Sequence, residues 1–402
     1  MTRRALPFYA ALVAWALAAT AARIARWPND LAEAHWILDY RFGPIRRGLA
    51  GQVLALARGA GIAPASAVTI GVLSAALFAL MLAVVVAAGI RLSARQQWSP
   101  ESLLAACVFA TSPFIAMGAH LMGYFDHLLV IAAASSAWLV LRGRFTAAGA
   151  VAAAAVLVHE NFLALGLPVV AFALWRRAAG RPEERAPWRT WLPLTAPAVA
   201  TAAVMLVETF VLDRGRLRRQ LTERLLAFDF IKGDFAYFVP EWMTTTLSEN
   251  LRLVWLWPRL TDPWLAGMVL PSLAVLLALA WLVARPAAAR AVPALALACL
   301  VPLALHAVAW DTARIWTFPL AAAFLGAWVL SEERAEAASR SFAFRLFAFF
   351  VIVLNVYGRY PLMDNLSERL SPSVRTVEYA PVLIVAAWLA VRGPGRPASQ
   401  QV

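Results

Sequence analysis

Apolar runs close to the thickness of a lipid bilayer recur along almost the whole of this 402-residue chain. A membrane span needs about 20 mostly apolar residues. Backbone in lipid must satisfy its own hydrogen bonds, which leaves helices or closed barrels. The Ala/Leu/Val runs are far too long for barrel strands. They predict an all-α fold, a polytopic transmembrane helical bundle of about 12 spans, at 5–22, 66–90, 102–118, 126–141, 145–158, 162–175, 190–212, 264–283, 291–309, 315–330, 342–357 and 378–391. Charged residues make up 15% of the chain, against about 25% in a soluble domain. Residues 1–402 therefore read as a single integral membrane domain with no appended soluble domain.

The formal charge is +13, carried by arginines and the single Lys232. In a soluble protein such a balance points to nucleic acid; here cationic loops that set topology account for it, and no nucleic-acid partner is expected. Cys107 and Cys299 fall inside predicted spans with no metal-ligand spacing. The basic, apolar start at residues 1–22 is long and lacks a cleavage site, so it reads as the first helix rather than a signal peptide. Of the 36 basic residues, 18 lie in the even-to-odd connections and the termini. Those segments are about half as long as the opposite ones, and short loops weigh most in the positive-inside rule. Both termini are therefore expected in the cytoplasm, with the protein multi-pass in a bacterial inner membrane.

All nine aspartates and all five histidines fall in or beside the opposite, odd-to-even connections. Ionisable groups near lipid are expensive and tend to mark function, so a site is expected at that extracytoplasmic face. Residues 145–175 bear on this count. As one helix they would measure about 46 Å at 1.5 Å per residue, too long for the bilayer core. A hairpin of two short helices instead brings Arg142 and Arg144 to the same side as Arg176 and Arg177, with His159-Glu160 at its tip.

The first outer loop, 23–63, holds His35, Asp39, Tyr40, Arg41, Arg46 and Arg47. Ile45, Leu49, Val53 and Leu56 recur at helical spacing after a Gly43-Pro44 turn, which predicts a short interfacial helix. In a functional reading Asp39 is a base or orienting acid and Arg46/Arg47 grip a phosphate; in a structural one the arginines snorkel to headgroups and Asp39 pairs with one of them. The second connection runs His120 to Asp126-His127. Asp126 is either a helix N-cap or, with His127, a proton-transfer or phosphate-contacting group. His159-Glu160-Asn161 form either a wet turn or a recessed site in which burial raises the glutamate pKa toward acid/base use. In Trp310-Asp311-Thr312-Ala313-Arg314 the acid and base three apart either pair locally or present a phosphate-binding guanidinium held by Asp311. The long loop 213–263 carries an arginine-rich helix with Leu217, Leu221, Leu225 and Phe228 on one stripe, expected to lie on anionic lipid. Asp229, Asp234, Tyr237, Phe238, Glu241, Trp242, Trp255 and Trp257 follow, suited to sugar stacking or to an aromatic belt. The last outer loop, 358–377, holds Arg359, Tyr360, Asp364, Glu368, Arg369 and Arg375.

There is no Walker loop, dinucleotide fingerprint, GxSxG elbow or HExxH motif, so neither a cofactor nor a metal is expected. The overall pattern resembles the GT-C superfamily of membrane glycosyltransferases. Asp39 matches that superfamily's first-loop acid, residues 45–57 its interfacial helix, and 213–263 its long outer loop. The resemblance implies a polyprenyl-phosphate sugar donor and a glycan or lipid acceptor. It also implies catalytic carboxylates, here Asp39, Asp126 or Glu160, with His35, Tyr40, Arg41, Arg46, Arg47, His127, His159, Asp311 and Arg314 about the substrate. A transporter or flippase for a lipid-linked or anionic substrate is the alternative. Such proteins place polar groups near the midplane of broken helices, whereas here they crowd one face.

Overall fold

A computed structural model of the chain describes residues 6–62, 64–180, 188–246, 249–251, 260, 262–284, 288–309, 311–333, 341–360 and 370–391. Trp255, Trp257, Trp310, Asp364, Glu368 and Arg369 lie outside the described residues. The described residues are helical, with no ladder of strands. In chain order the α-helices are α1 (Leu6–Ala22), α2 (Asp30–Ile37), α3 (Gly48–Gly59), α4 (Ala67–Arg95), α5 (Pro100–Ala110), α6 (Pro113–His120), α7 (Asp126–Leu141), α8 (Phe145–Val158), α9 (Phe162–Leu165), α10 (Leu167–Gly180), α11 (Leu192–Phe210), α12 (Arg214–Leu226), α13 (Gly233–Thr244), α14 (Pro263–Ala284), α15 (Ala288–Leu300), α16 (Thr312–Glu333), α17 (Phe342–Tyr357) and α18 (Pro372–Val391). Short 3-10 turns occupy Tyr40–Phe42, Trp188–Trp191 and Val301–Ala307.

Every apolar run read from the sequence is helical here. Among the described residues eight helical stretches are long and apolar enough to cross a membrane, and α1, α7, α8 and α17 are shorter apolar helices. Helix starts follow ordinary capping chemistry. Ser66, Ser99 and Ser341 accept from the backbone N–H three residues on, each at 3.2 Å, as a preferred N-cap does. Several helices outrun their apolar runs. α4 continues to Arg91 and Arg95, whose guanidiniums meet Glu332 of α16 at 3.5 and 3.3 Å. The run at 102–118 is two helices in series, broken at Thr111-Ser112 before Pro113, which lacks an N–H to continue α5. α5, α6 and α16 form the centre of the bundle and are buried on nearly all faces. There the rings of Phe109 and Phe324 stack with centroids 4.1 Å apart.

Residues 145–180 double back. Arg177, near the end of α10, donates to the carbonyl of Leu141 at 2.5 Å and lies over the ring of Phe145 at the start of α8. Both basic ends are thus together and His159-Glu160 forms the far tip. α8 is 14 residues long, about 21 Å, short of a hydrocarbon core of about 30 Å.

α3 starts at Gly48, later than the expected 45–57. It exposes Val53 and Leu56, while Ile45 is buried, so one side of the predicted stripe faces outward and the residue before the helix faces in. Gly51 makes this packing possible, because a Cβ there would lie 1.9 Å from the carbonyl oxygen of Leu38. α12 departs from expectation. Its stripe Leu217, Leu221 and Leu225 is buried inside the protein against α13 and α2, not laid on lipid; Arg216 and Arg219 are exposed on its outer face, while Arg224 turns in toward Asp39. An apolar stripe finds a better-packed partner in α13 than in lipid, and Arg218 fastens the pair through a 3.2 Å bond to the Thr244 hydroxyl.

The Gly51 contact predicts a contrast between two glycines of one helix. Gly51→Ala should lower stability by about 1–3 kcal/mol through overpacking. Gly59→Ala, where a Cβ meets nothing within 4 Å, should leave stability unchanged or raise it by up to about 1 kcal/mol. Thermal unfolding of the two purified variants checks this; equal midpoints would contradict the packing described.

Candidate functional site

A cavity of about 1030 Å³ lies where five connections meet. The first supplies His35, Arg46 and Arg47; the second Tyr124; the third His159, Glu160 and Asn161; the fourth Arg214 and Thr244–Thr246; the fifth Asp311 and, at the first turn of α16, Arg314. One wall is apolar, from Val156 and Leu157 of α8, Val204 and Met205 of α11, and Leu305, Val308 and Ala309. Trp242 of α13 lines the cavity and also faces outward with Tyr237 and Phe238.

Arg47 is the most constrained side chain there. Its backbone is left-handed (φ 61°, ψ 15°) at the N-cap of α3, a conformation that costs a residue with a Cβ about 1–2 kcal/mol. Its Nε donates to both oxygens of Glu160 at 3.0 Å and its Nη2 to Oε1 at 2.5 Å, while Nη1 donates to His35 Nε2 at 3.2 Å. Since a guanidinium only donates, His35 Nε2 is an acceptor and the ring proton sits on Nδ1, toward the Leu31 carbonyl. His159 Nδ1 accepts the backbone N–H of Asn161 at 3.1 Å, so its proton is on Nε2. Its 3.5 Å approach to Glu160 is therefore not an ion pair in this tautomer. Burial first, then the Arg47 charge, pushes the His35 imidazole down to about 3. The same two causes hold His159 well below the ordinary imidazole range, so both rings are neutral at physiological pH.

Glu160 behaves against expectation. Burial alone would raise its carboxyl, but the Arg47 guanidinium, by its charge and its hydrogen bonds, outweighs burial and holds it well below the usual range. It is an ionised clamp for Arg47 rather than a carboxyl raised toward acid/base work. Asp311 moves the other way. Burial pushes it up against the pull of Arg314, and the nearby Asp126 adds to the rise.

Arg314 is buried and receives two carboxylates. Asp126 takes Nε and Nη2 at 2.6 and 2.8 Å, and Asp311 takes Nη1 at 3.1 Å. Asp311 and Arg314 therefore pair locally, and Arg314 also lines the cavity. Asp126 is not the N-cap of α7; Phe125 is, with no side-chain cap bond, and the Asp126 carboxylate turns to Arg314. Arg46 is held by Glu208 (Nε to Oε2 2.9 Å, backbone N–H to Oε1 2.8 Å) and donates through Nη2 to the carbonyls of Met243 and Thr245.

Of the residues singled out in the sequence, His35, Arg46, Arg47, His159, Glu160, Asp311 and Arg314 line this cavity, and Asp126 stands directly behind Arg314. Asp39, Tyr40, Arg41 and His127 are not among its lining residues. Asp39 is buried, caps the Tyr40–Phe42 turn, bonds Arg41 Nε at 2.8 and 3.1 Å and lies 3.9 Å from Arg224. Tyr40 packs against Gly48. His127 Nε2 meets the Gly118 carbonyl at 2.9 Å beside Phe78. Glu208 was hidden in an apolar run; a lone acid in the last two turns of such a run was the signal available for it. Comparison with protein-family models, with curated proteins and with solved structures gives no match for this chain.

The two neutral imidazoles set a pH dependence. In the unfolded chain they titrate near 6.5, whereas in the fold His35 titrates at about 3 and His159 well below its ordinary value. Below pH 6.5 the unfolded state therefore binds protons that the folded state refuses, and stability falls as pH drops through that window. The thermal midpoint should decline from pH 7 to pH 5, and less steeply in His159→Asn. An unchanged slope in that variant would remove the imidazole from this account.

Proposed function

We propose that this cavity is the site of a membrane glycosyltransferase that takes a sugar from a polyprenyl-phosphate donor at the extracytoplasmic face. One observation carries the reading: three guanidiniums, of Arg46, Arg47 and Arg314, are each fixed by carboxylates around a single cavity with an apolar wall. A guanidinium has five N–H donors. The contacts of Arg47 and Arg314 leave two of these on each without a partner among the described residues. Fixed donors that need not reorganise are what a leaving phosphate requires as charge develops on it, and the planar fork suits its oxygens. The apolar wall suits the prenyl chain.

In this reading the acceptor hydroxyl oxygen attacks the anomeric carbon, the bond from that carbon to the phosphate oxygen breaks, and the electron pair leaves on lipid phosphate. The hydroxyl proton goes to a carboxylate. Asp311 fits that task better than Glu160, because burial raises its pKa whereas Arg47 holds that of Glu160 down, and the stronger base takes a proton more readily. Asp39, the acid matched by resemblance, is engaged with Arg41 and Arg224 and acts by holding the first loop in shape. The reading also takes in about 12 spans, counting the four shorter helices, both termini in the cytoplasm, and the inner membrane as the location.

Purified protein incubated with a panel of polyprenyl-phosphate sugars should release lipid phosphate. Asp311→Asn should lower the rate by about 10²-fold or more. Arg314→Lys, which keeps the charge but loses the fork, should lower it by about 10-fold or more. Asp39→Asn should retain most activity in the protein that folds. Movement of an intact lipid-linked substrate between leaflets, with no lipid phosphate released, would replace this reading with the flippase.

A further inference from the structure

At the end of the bundle opposite the cavity, arginines gather around the turn between α7 and α8. α7 leads from Asp126, beside the cavity, to Leu141, and α8 returns from Phe145 to the cavity tip. The turn between them is joined by the end of α10 through Arg177, which donates to the Leu141 carbonyl and covers Phe145. It is joined also by the start of α11, whose Leu192 carbonyl would lie 2.8 Å from a Cβ on Gly149. Segment 138–145 thus meets 174–180 and 188–192, about 30 or more positions on in the chain. Together they hold five arginines and no acid.

Aromatic rings interleave with these arginines. Arg142 lies 5.5 Å from the Trp138 ring centre, Arg176 5.5 Å from Trp175, and Arg189 5.8 Å from Trp188. Trp188 and Trp191 are 68% and 60% exposed, more than the interior of a protein would leave two indoles. Amphipathic indoles of this kind favour the headgroup level of a bilayer. From Trp191 the outward face of α11 continues as exposed Val199, Leu206 and Phe210, an apolar track for an acyl chain. Arg177 is engaged in holding the α7 carboxyl end; Arg142, Arg144 and Arg189 are exposed around it.

We propose that this end binds the headgroup of an anionic phospholipid, its phosphate held by Arg142, Arg144 and Arg189 and its upper acyl chain laid along α11 below Trp188 and Trp191. Charge selects the occupant: a zwitterionic headgroup brings its own cation into a patch that already holds five, whereas an anionic one does not. Convergence makes this a site rather than the general bias of one membrane face: Arg177 ties the end of α10 to the α7–α8 turn, and the Leu192 carbonyl packs against Gly149 of α8.

The test is lipid retention by the purified full-length protein in neutral detergent, read by native mass spectrometry after delipidation and addition of phosphatidylglycerol or phosphatidylcholine. Wild type should keep phosphatidylglycerol over phosphatidylcholine by about fivefold or more. Arg142→Gln/Arg144→Gln/Arg189→Gln should bring the two lipids to within about twofold of each other, the scale of losing more than one basic group at a charged surface. Arg216→Gln/Arg219→Gln, on the outer face of α12, should leave the preference as in wild type, and inorganic phosphate should not displace the lipid. Equal retention of both lipids by wild type would overturn the proposal, as would an equal loss in the α12 variant. If the triple variant does not fold, Arg189→Gln alone, on an exposed side chain, must still lower the preference.

Discussion

Guanidinium–carboxylate pairs between connections far apart in sequence give the cavity end of this bundle its shape. Arg47 and Glu160 are 113 positions apart, Arg46 and Glu208 162, and Arg314 and Asp126 188. These pairs tie the first connection to the third and fourth, and the second to the fifth; a 2.9 Å bond from Trp36 Nε1 in the first connection to the Gly123 carbonyl in the second joins the two sets into one rim. Apolar packing specifies how the helices lie along their lengths, but it says little about loops made largely of polar residues. A buried ion pair adds little net stability over an apolar substitute, because desolvation offsets the attraction. Breaking one is costly, since it leaves a charge without a partner, by about 3–5 kcal/mol when buried. These pairs therefore act mainly by making one arrangement of the rim much better than its neighbours. The left-handed backbone of Arg47 is part of that arrangement: with it the guanidinium reaches both His35 and Glu160 from the head of α3.

The helices were legible because each rests on a local and continuous signal. Apolar length identified the runs, serines and prolines marked several starts, and paired basic residues at both ends of 142–177 identified the hairpin. The ends were less legible. Hydropathy stops at the first charges, whereas backbone hydrogen bonding continues through Arg91, Arg95 and Glu332 as long as those side chains find partners. The break at Thr111-Ser112 lies within an unbroken apolar run and is visible only through Pro113. α12 was legible as an amphipathic helix but not in what covers its stripe, because lipid and α13 are equally good partners in a sequence and only the fold chooses between them.

The site was legible as a set of residue types at one end, not as a set of partners. His35, Arg46, Arg47, His159, Glu160, Asp311 and Arg314 were all marked by their placement beside apolar runs. Which of them would be ionised, and which held by another, depends on distances that spacing does not encode. Glu160 illustrates the point. Its position at a recessed turn argues for a raised pKa, and the argument fails because Arg47 arrives from 113 positions away. Asp39 is the opposite case: it lies off the cavity lining, paired with a basic residue two positions on that was in plain view.

Charge accounting at Arg314 links the fold to the proposed chemistry. One guanidinium between Asp126 and Asp311 leaves a net charge of −1 if both carboxylates are ionised, in a buried place where excess charge is disfavoured. Asp126 takes two charge-assisted bonds from Arg314 while Asp311 takes a weaker, longer one, so Asp311 is the member that absorbs the imbalance, and its raised pKa follows. In the proposed transfer this is the useful asymmetry. A proton passing from the acceptor to Asp311 brings the triad to neutrality at the moment a phosphate beside Arg314 gains charge. The carboxylate that competes with the leaving group for the guanidinium is removed by the same step that creates the leaving group. Were Glu160 the base, protonation would instead release Arg47, and the clamp that fixes the first loop to the third would loosen as the phosphate departs.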